Sequence, residues 1–510
     1  MCVGEWTTRT ASKLNESRVQ EQESKDYFLH TGKGYKVLQF GTDVRGGMEA
    51  MVLIARALVN QKGGGKIIVK KDGSNAYNAS DRLEGVRVTS RVFPTTARWG
   101  KWYYGTPSIL RMSSGEWMWG GEGFFQGDPY AGRAHDTLLQ AALIQAAEVT
   151  VQEYRQVIER KEARRDPVSE EGSLTEDDLV LLAFRDDVYV VGEAEIAMMA
   201  NEKIDVVREE VTGVKENRAK TSAYVPIEAH STHEGWLEAR DTVAKSYIVE
   251  SEISTEGMKM VGAPVGNAGY CHDFLEKASA KYPHFLPRIS TMDTQIAMIL
   301  LRECHLPIYT HLIRMVHPKI MQEYARVLDR QIIKTYNTIN NQHDANWTNN
   351  PNNPIMRGVR QPFRLGGMGL RSVEMVSPIA YYASSVAAIR LITEEIDPTL
   401  RMLVQELGSK PIPPHNPPIP PDQEEGDEFE ALFGSESPAT QGESPPSSIH
   451  TQPAPLNMQA GQHGERERAR KKRSRETQIP THTLHLTPCW RGSVRRRVKH
   501  GHATTRSQRY

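Results

Sequence analysis

Three short stretches of this 510-residue chain carry side chains suited to phosphate and divalent cations. Lys70–Arg82 (KKDGSNAYNASDR) follows the apolar run Lys66–Lys70 (KIIVK). An Asp at the end of a strand, before small residues and a helix, projects its carboxylate above the sheet. The amides of Gly73 and Ser74 would face the same space, as helix N-termini do when they hold phosphate. An ordinary turn competes with this reading, since D-G is a common turn dipeptide. Leu179–Gly192 (LVLLAFRDDVYVVG) reads as a hairpin with Asp186 and Asp187 at its tip. Adjacent carboxylates repel unless a cation sits between them. Two divalent ions held by carboxylates from separate strands are a known solution for in-line phosphoryl transfer, and magnesium suits oxygen ligands of this kind. A solvated acidic turn is the competing reading. Gly123–Pro129 (GFFQGDP) places Gln126 and Gly127 between aromatics and Pro129, either as a close-approach surface for a base or sugar or as a plain loop and helix cap.

The elements that must position these stretches follow from periodicity. Helices are expected over Gly47–Asn60, His135–Arg160 and Thr294–Arg302 running on toward Met315; strands over Lys66–Lys70, Leu179–Phe184, Val188–Val191 and Met258–Val261. They alternate irregularly, without a repeating βαβ unit, which favours α+β.

Composition limits the alternatives. Four widely separated cysteines exclude a disulfide scaffold or zinc ribbon and fit a reducing compartment. No signal core or membrane span is expected, giving an intracellular protein. Lys plus Arg and Asp plus Glu each number 63, so the net charge is zero, yet Gly461–Tyr510 holds 14 basic and three acidic residues. That tail is +11 and the rest −11. Lys410–Pro421 is proline-dense, and the stretch beyond it has too few apolar side chains to offset its ordering entropy, so it is expected to be disordered. The basic runs Arg466–Arg475 and Arg495–Lys499 suggest a nuclear-import signal or salt-sensitive phosphate contacts; a solubilising tail is the alternative.

Taken in order, the three stretches resemble the palm motifs of reverse transcriptases, of the non-long-terminal-repeat retrotransposon type. Gly213–Lys220 (GVKENRAK) is similar to the element that follows, and Gly257–Gly266 (GMKMVGAPVG) to the primer-grip turn. Gln39–Glu49 and Val3–Arg9 resemble parts of the fingers, and Thr294–Pro318 and Arg364–Ser372 the thumb and the segment after it. Departures from the family are Arg185, where a small or apolar residue is usual, Tyr130–Ala131–Gly132 after Pro129, and a start inside the first fingers motif, which implies an N-terminal truncation.

The resemblance implies an α+β right-hand polymerase: partial fingers (1–65), a palm with an antiparallel sheet (66–266), a helical thumb and following segment (267–407), and a disordered tail (408–510). It implies RNA-directed DNA synthesis, with an RNA template, a DNA primer and deoxynucleoside triphosphates as partners. Asp72, Asp186 and Asp187 would hold two Mg2+ ions (Mn2+ also serving). Gly73 and Ser74 would contact phosphates, Tyr77 would exclude a ribose 2′-hydroxyl, and Gln126 and Gly127 would line the nucleotide pocket. Lys220 would protonate pyrophosphate, Gly262 and Pro264 would shape the primer grip, and Arg302, Arg314 and Lys319 are candidates for duplex contact. A catalytically inactive remnant and an RNA-dependent RNA polymerase are the rival readings; the cation at Arg185 could pair with a catalytic carboxylate or point outward.

Overall fold

Strands that are apolar at every position, as LVLLAF and VYVV are, suit a sheet covered on both faces. The computed structural model has that arrangement. It describes residues 6–397 except 62, 112, 163–174, 176–177 and 343–352. The chain divides into two units, Met1–Ile419 and Pro420–Tyr510, and the second lies wholly outside the described residues. The expected disordered segment (408–510), the basic runs and their nuclear address all lie outside the described residues.

Eleven strands lie among the described residues: β1 (Leu29–Gly32), β2 (Tyr35–Gln39), β3 (Lys66–Asp72), β4 (Ser108–Arg111), β5 (Trp117–Gly120), β6 (Leu179–Phe184), β7 (Asp187–Glu193), β8 (Ser222–Tyr224), β9 (Ile253–Ser254), β10 (Gly257–Met260) and β11 (Ala263–Gly266). Seven form one sheet in the order β1-β2-β6-β7-β3-β8-β9. The expected antiparallel sheet is corrected to a mixed one, because β2 pairs parallel with β6 and β8 parallel with β9. Its centre, β6-β7-β3-β8, is antiparallel. Residues 29–39, assigned from the sequence to the fingers, belong to this same sheet.

Alternate side chains serve opposite cores. Leu38, Ile68, Leu182 and Val191 pack under the helix Gly47–Val59 and the β10-β11 hairpin. Val37, Ile67, Leu181 and Val190 pack under the helices Pro129–Glu162 and Ala194–Thr212. From Ala268 onward the regular elements are helical, around a third core in which Pro318–Ile339 contributes Ala325, Leu328, Ile332 and Tyr336. The helix expected from Thr294 to Met315 is interrupted: Thr294–Ile299 passes into a π turn, a 3-10 turn containing Pro307, and then Thr310–Met315. A proline within such a run supplies no amide to the preceding turn.

One finding departs from the sequence reading of membrane segments. Val373–Ile396 is long and apolar enough to cross a bilayer, with a mean hydropathy of 1.3. Its buried Ala388, Leu391 and Ile392 join the first core, while Met375, Ile379, Tyr382 and Val386 are exposed.

Candidate active site

The corner where β3 ends and β7 begins gathers the acidic residues. In the β3-β7 ladder Asp72 stands directly opposite Asp187. Asp186 lies one residue earlier, in the two-residue turn between β6 and β7, because Phe184 pairs with Asp187. Asp72, Asp186, Ser74, Tyr77, Gln126 and Lys220 line one cleft of about 250 Å³. A second cavity of about 400 Å³, lined by Gly127, Pro129 and Arg185, shares Tyr77 and Gln126 as its wall.

Burial raises the Asp187 carboxyl above the ordinary aspartate range; Lys70 opposes the shift, and the charges of Asp186 and Asp72 reinforce it. Two ammonium groups partly balance this acidic rim: Lys220 Nζ is 3.0 Å from Asp72, and Lys70 Nζ is 3.8 Å from Asp187. Among the described residues no three His, Cys, Asp or Glu side chains form a ready-made metal cage. Magnesium needs less, since it is commonly held by one or two carboxylates with substrate phosphates and water completing the shell. The donors on this rim, all carboxylate oxygens that repel one another, match that requirement.

The turn bearing the paired acids is held by residues distant in sequence. Arg185 has φ of +58°, suiting the primed turns that fit the twist of a hairpin but unusual for a side chain of its size. The buried amide of Gln39, at the end of β2, fixes it: Gln39 Oε1 accepts from the Arg185 N–H at 3.0 Å, and its Nε2 donates to the Arg185 carbonyl at 3.1 Å. The guanidinium, though partly exposed, bonds to none of Asp72, Asp186 and Asp187. It donates to Asp136 at 2.7 Å and to Thr42 at 2.9 Å.

Each remaining candidate has a defined place. Tyr77, in the short helix Ala76–Ala79, stacks on His135 with centroids 4.3 Å apart and planes at 11°. Burial pushes its hydroxyl pKa upward, and the charge of Asp136 adds to the shift. The Gly123–Pro129 loop is fastened to this segment: Gly123 N–H donates to Ser80 and Phe124 N–H to Tyr77, while buried Arg82 donates to the carbonyls of Gly120, Glu122 and Gly123. That fastening keeps Gln126 in the cleft wall. The Ser74 amide, expected to meet phosphate, donates instead to the Lys215 carbonyl at 2.8 Å, and Gly73 bridges to Glu216. The post-β3 backbone thus forms a short ladder with the Lys215–Asn217 segment, which takes the Ser74 amide away from phosphate.

Gly262 and Pro264 sit on the β10-β11 hairpin. Val261 and Gly262 both have positive φ, 40° and 85°, as a type I′ turn demands. The Val261 N–H donates to the Tyr189 hydroxyl at 3.0 Å, and Arg56 donates to the Pro264 carbonyl at 2.6 Å. Tyr189 lies on β7 two residues after Asp187, so the hairpin turn is tied to the acidic corner. Of the duplex-contact candidates, Arg314 pairs with Glu49 and Arg302 with Glu303.

No family model and no curated protein matches the chain. Among solved structures it is similar to telomerase from Candida albicans in complex with the TWJ fragment of telomeric RNA: 10% identity, 80% of this chain, 57% of that one, TM-score 0.36. Apo telomerase from Candida tropicalis gives 8% identity, coverage of 78% and 60%, and a TM-score of 0.31. The same enzyme with the TWJ fragment gives 9%, 79% and 56%, and 0.29. The chain spans less than two thirds of these structures. Similarity at this level assigns neither a family nor an activity.

Proposed function

We propose that the chain is a retroelement-type reverse transcriptase that adds deoxynucleotides to a primer 3′-hydroxyl on an RNA template. The observation that carries this reading is the register pairing of Asp72 with Asp187, with Asp186 beside them in a cleft that also holds Tyr77, Gln126 and Lys220. Asp72, Asp186 and Asp187 would hold the divalent ions, Mg2+ or Mn2+, which when bound lower the pKa of the attacking hydroxyl and neutralise the triphosphate.

The chain's own side chains supply the rest. Tyr77, braced by His135, stacks under the sugar and leaves no room for a 2′-hydroxyl. Gln126 forms the adjoining wall. Lys220, exposed apart from its pairing with Asp72, exchanges that carboxylate for the leaving diphosphate and can donate it a proton. Gly262 and Pro264, anchored through Tyr189 and Arg56, hold the primer end. The basic runs of the tail would add non-specific phosphate contacts and a nuclear address.

A second reading, an inactive nucleic-acid-binding remnant, draws on the ion pairs that Lys220 and Lys70 make with the carboxylates. Primer extension by the full chain on poly(rA)/oligo(dT) with dTTP and Mg2+ separates the two. Extension that disappears in Asp186→Ala supports the polymerase; absence of extension with either Mg2+ or Mn2+ supports the remnant.

A further inference from the structure

Behind the acidic rim lies a buried charge pair that touches the backbone of both carboxylate-bearing segments. Glu216 and Arg208 are 3% and 1% exposed. Glu216 Oε1 accepts the Asp72 N–H at 2.9 Å, and its Oε2 faces Arg208 Nη1 at 3.4 Å and Lys71 Nζ at 4.0 Å. Arg208 Nη2 in turn reaches the Asp186 carbonyl at 3.4 Å. The same guanidinium packs against Gly73, where a Cβ would collide with it. One carboxylate and one guanidinium therefore bridge the end of β3 to the β6-β7 turn, from beneath and out of solvent. Two bonds at 3.4 Å are individually weak. Their role comes from where the pair leads: Glu216 ends on the Asp72 N–H and Arg208 on the Asp186 carbonyl, main-chain groups of two residues that line the cleft.

The pair is not needed to assemble the sheet there. The β3-β7 ladder already pairs Asp72 with Asp187, and the Gly73–Glu216 bridge is a backbone contact. A buried ion pair is also a poor source of net stability, because desolvation offsets its attraction. What it adds to the strand register and to the Gln39 clamp is a direct buried link between the Asp72 and Asp186 main chains.

We propose that Glu216 and Arg208 are positioning residues that hold Asp72 and Asp186 at the separation a shared divalent cation requires. The role rests on the polymerase reading of the cleft. Loss of an outer-shell partner of a metal ligand typically costs 10–100-fold in metal affinity or activity.

The test uses the full chain and its near-isosteric variants Glu216→Gln and Arg208→Lys. Mn2+ binding is followed by the loss of the free-ion electron paramagnetic resonance signal, alongside thermal melting and primer extension. The expected result is a rise of about 10-fold or more in the Mn2+ dissociation constant and a matching fall in kcat, with KM for dTTP within about twofold. Gly73→Ala, which keeps both charges but displaces the guanidinium, should act in the same direction. Unaltered Mn2+ affinity in folded variants, whatever their melting temperature, would overturn the positioning role while leaving the polymerase reading intact. Failure of both variants to fold would also overturn it, by assigning the pair to stability. Absence of Mn2+ binding by the unsubstituted chain would remove the parent reading and this role together.

Discussion

Asp136 is fully buried, yet the charge that balances it, Arg185, comes from the turn carrying Asp186 and Asp187. Replacing it with Asn leaves an acceptor for Thr42, which donates to Asp136 at 2.5 Å, but removes the charge that holds the guanidinium. Breaking a buried ion pair by deleting one partner costs about 3–5 kcal/mol. The Arg185 side chain is 38% exposed, so solvent recovers part of that, and roughly 2 kcal/mol is expected for Asp136→Asn. Arg185→Ala should cost more, about 3 kcal/mol, because it leaves a carboxylate with no exposed surface, bonded to Thr42 and His135 but to no guanidinium. In the double variant neither charge remains, so its destabilisation should fall short of the sum by about 1–3 kcal/mol. Urea unfolding followed by tryptophan fluorescence measures all three. Activity provides a second axis. In Asp136→Asn the released guanidinium lies one residue from Asp186 and competes for it, so primer extension should drop about 10-fold, whereas the double variant should recover most of it. Additive stabilities, or an equal loss of extension in Asp136→Asn and the double variant, would refute the claim that Asp136 holds Arg185 away from the acidic rim.

Three further outcomes are expected. Tyr77→Ala should relax discrimination against ribonucleotides with little change in Mn2+ affinity; single-nucleotide incorporation with dTTP and UTP reads the ratio, and an unchanged ratio removes Tyr77 from the sugar pocket. Val261→Asn should stabilise the protein by about 1 kcal/mol, because Asn-Gly suits a two-residue turn with positive φ at both positions and valine does not; a lowered melting temperature would show that the valine methyls matter more than the backbone. Burial lowers the pKa of His305, which bonds to the Tyr309 hydroxyl at 2.9 Å, to about 4. Its unfolded form takes up a proton near pH 6.5 while the folded form does not, so this contribution is complete above that pH. It is lost as pH falls toward about 4, by on the order of 2–3 kcal/mol. His305→Gln should flatten that acid dependence in urea titrations at graded pH, and an unchanged slope would contradict it.

The acidic corner was legible because its signals are local. An apolar run ending in Asp72, and two apolar runs flanking Asp186–Asp187, dictate a strand end and a hairpin tip wherever they occur. What brackets that corner was not legible. Gln39, Asp136, Arg208 and Glu216 act across 146, 49, 22 and 144 residues, and nothing in their neighbours distinguishes a buried clamp from a solvated polar side chain. Glu216 falls inside a stretch noted for its resemblance, yet only Lys220 stood out there, because a cation near a phosphate site has an evident role and a carboxylate beneath a backbone amide does not. The mixed character of the sheet was hidden for a similar reason: β2 pairs with β6 across some 140 residues, and a parallel pairing leaves no turn signature. Ser74 shows the opposite error. A free amide near a helix start was expected, and the Lys215 carbonyl takes it.

The most direct test of the central claim is Mn2+ binding by the full chain compared with Asp72→Asn and Asp186→Asn, read from the free-ion resonance signal at neutral pH. Saturable binding that either substitution abolishes is the predicted result. Binding that survives both substitutions, or none in the unsubstituted chain, would contradict it.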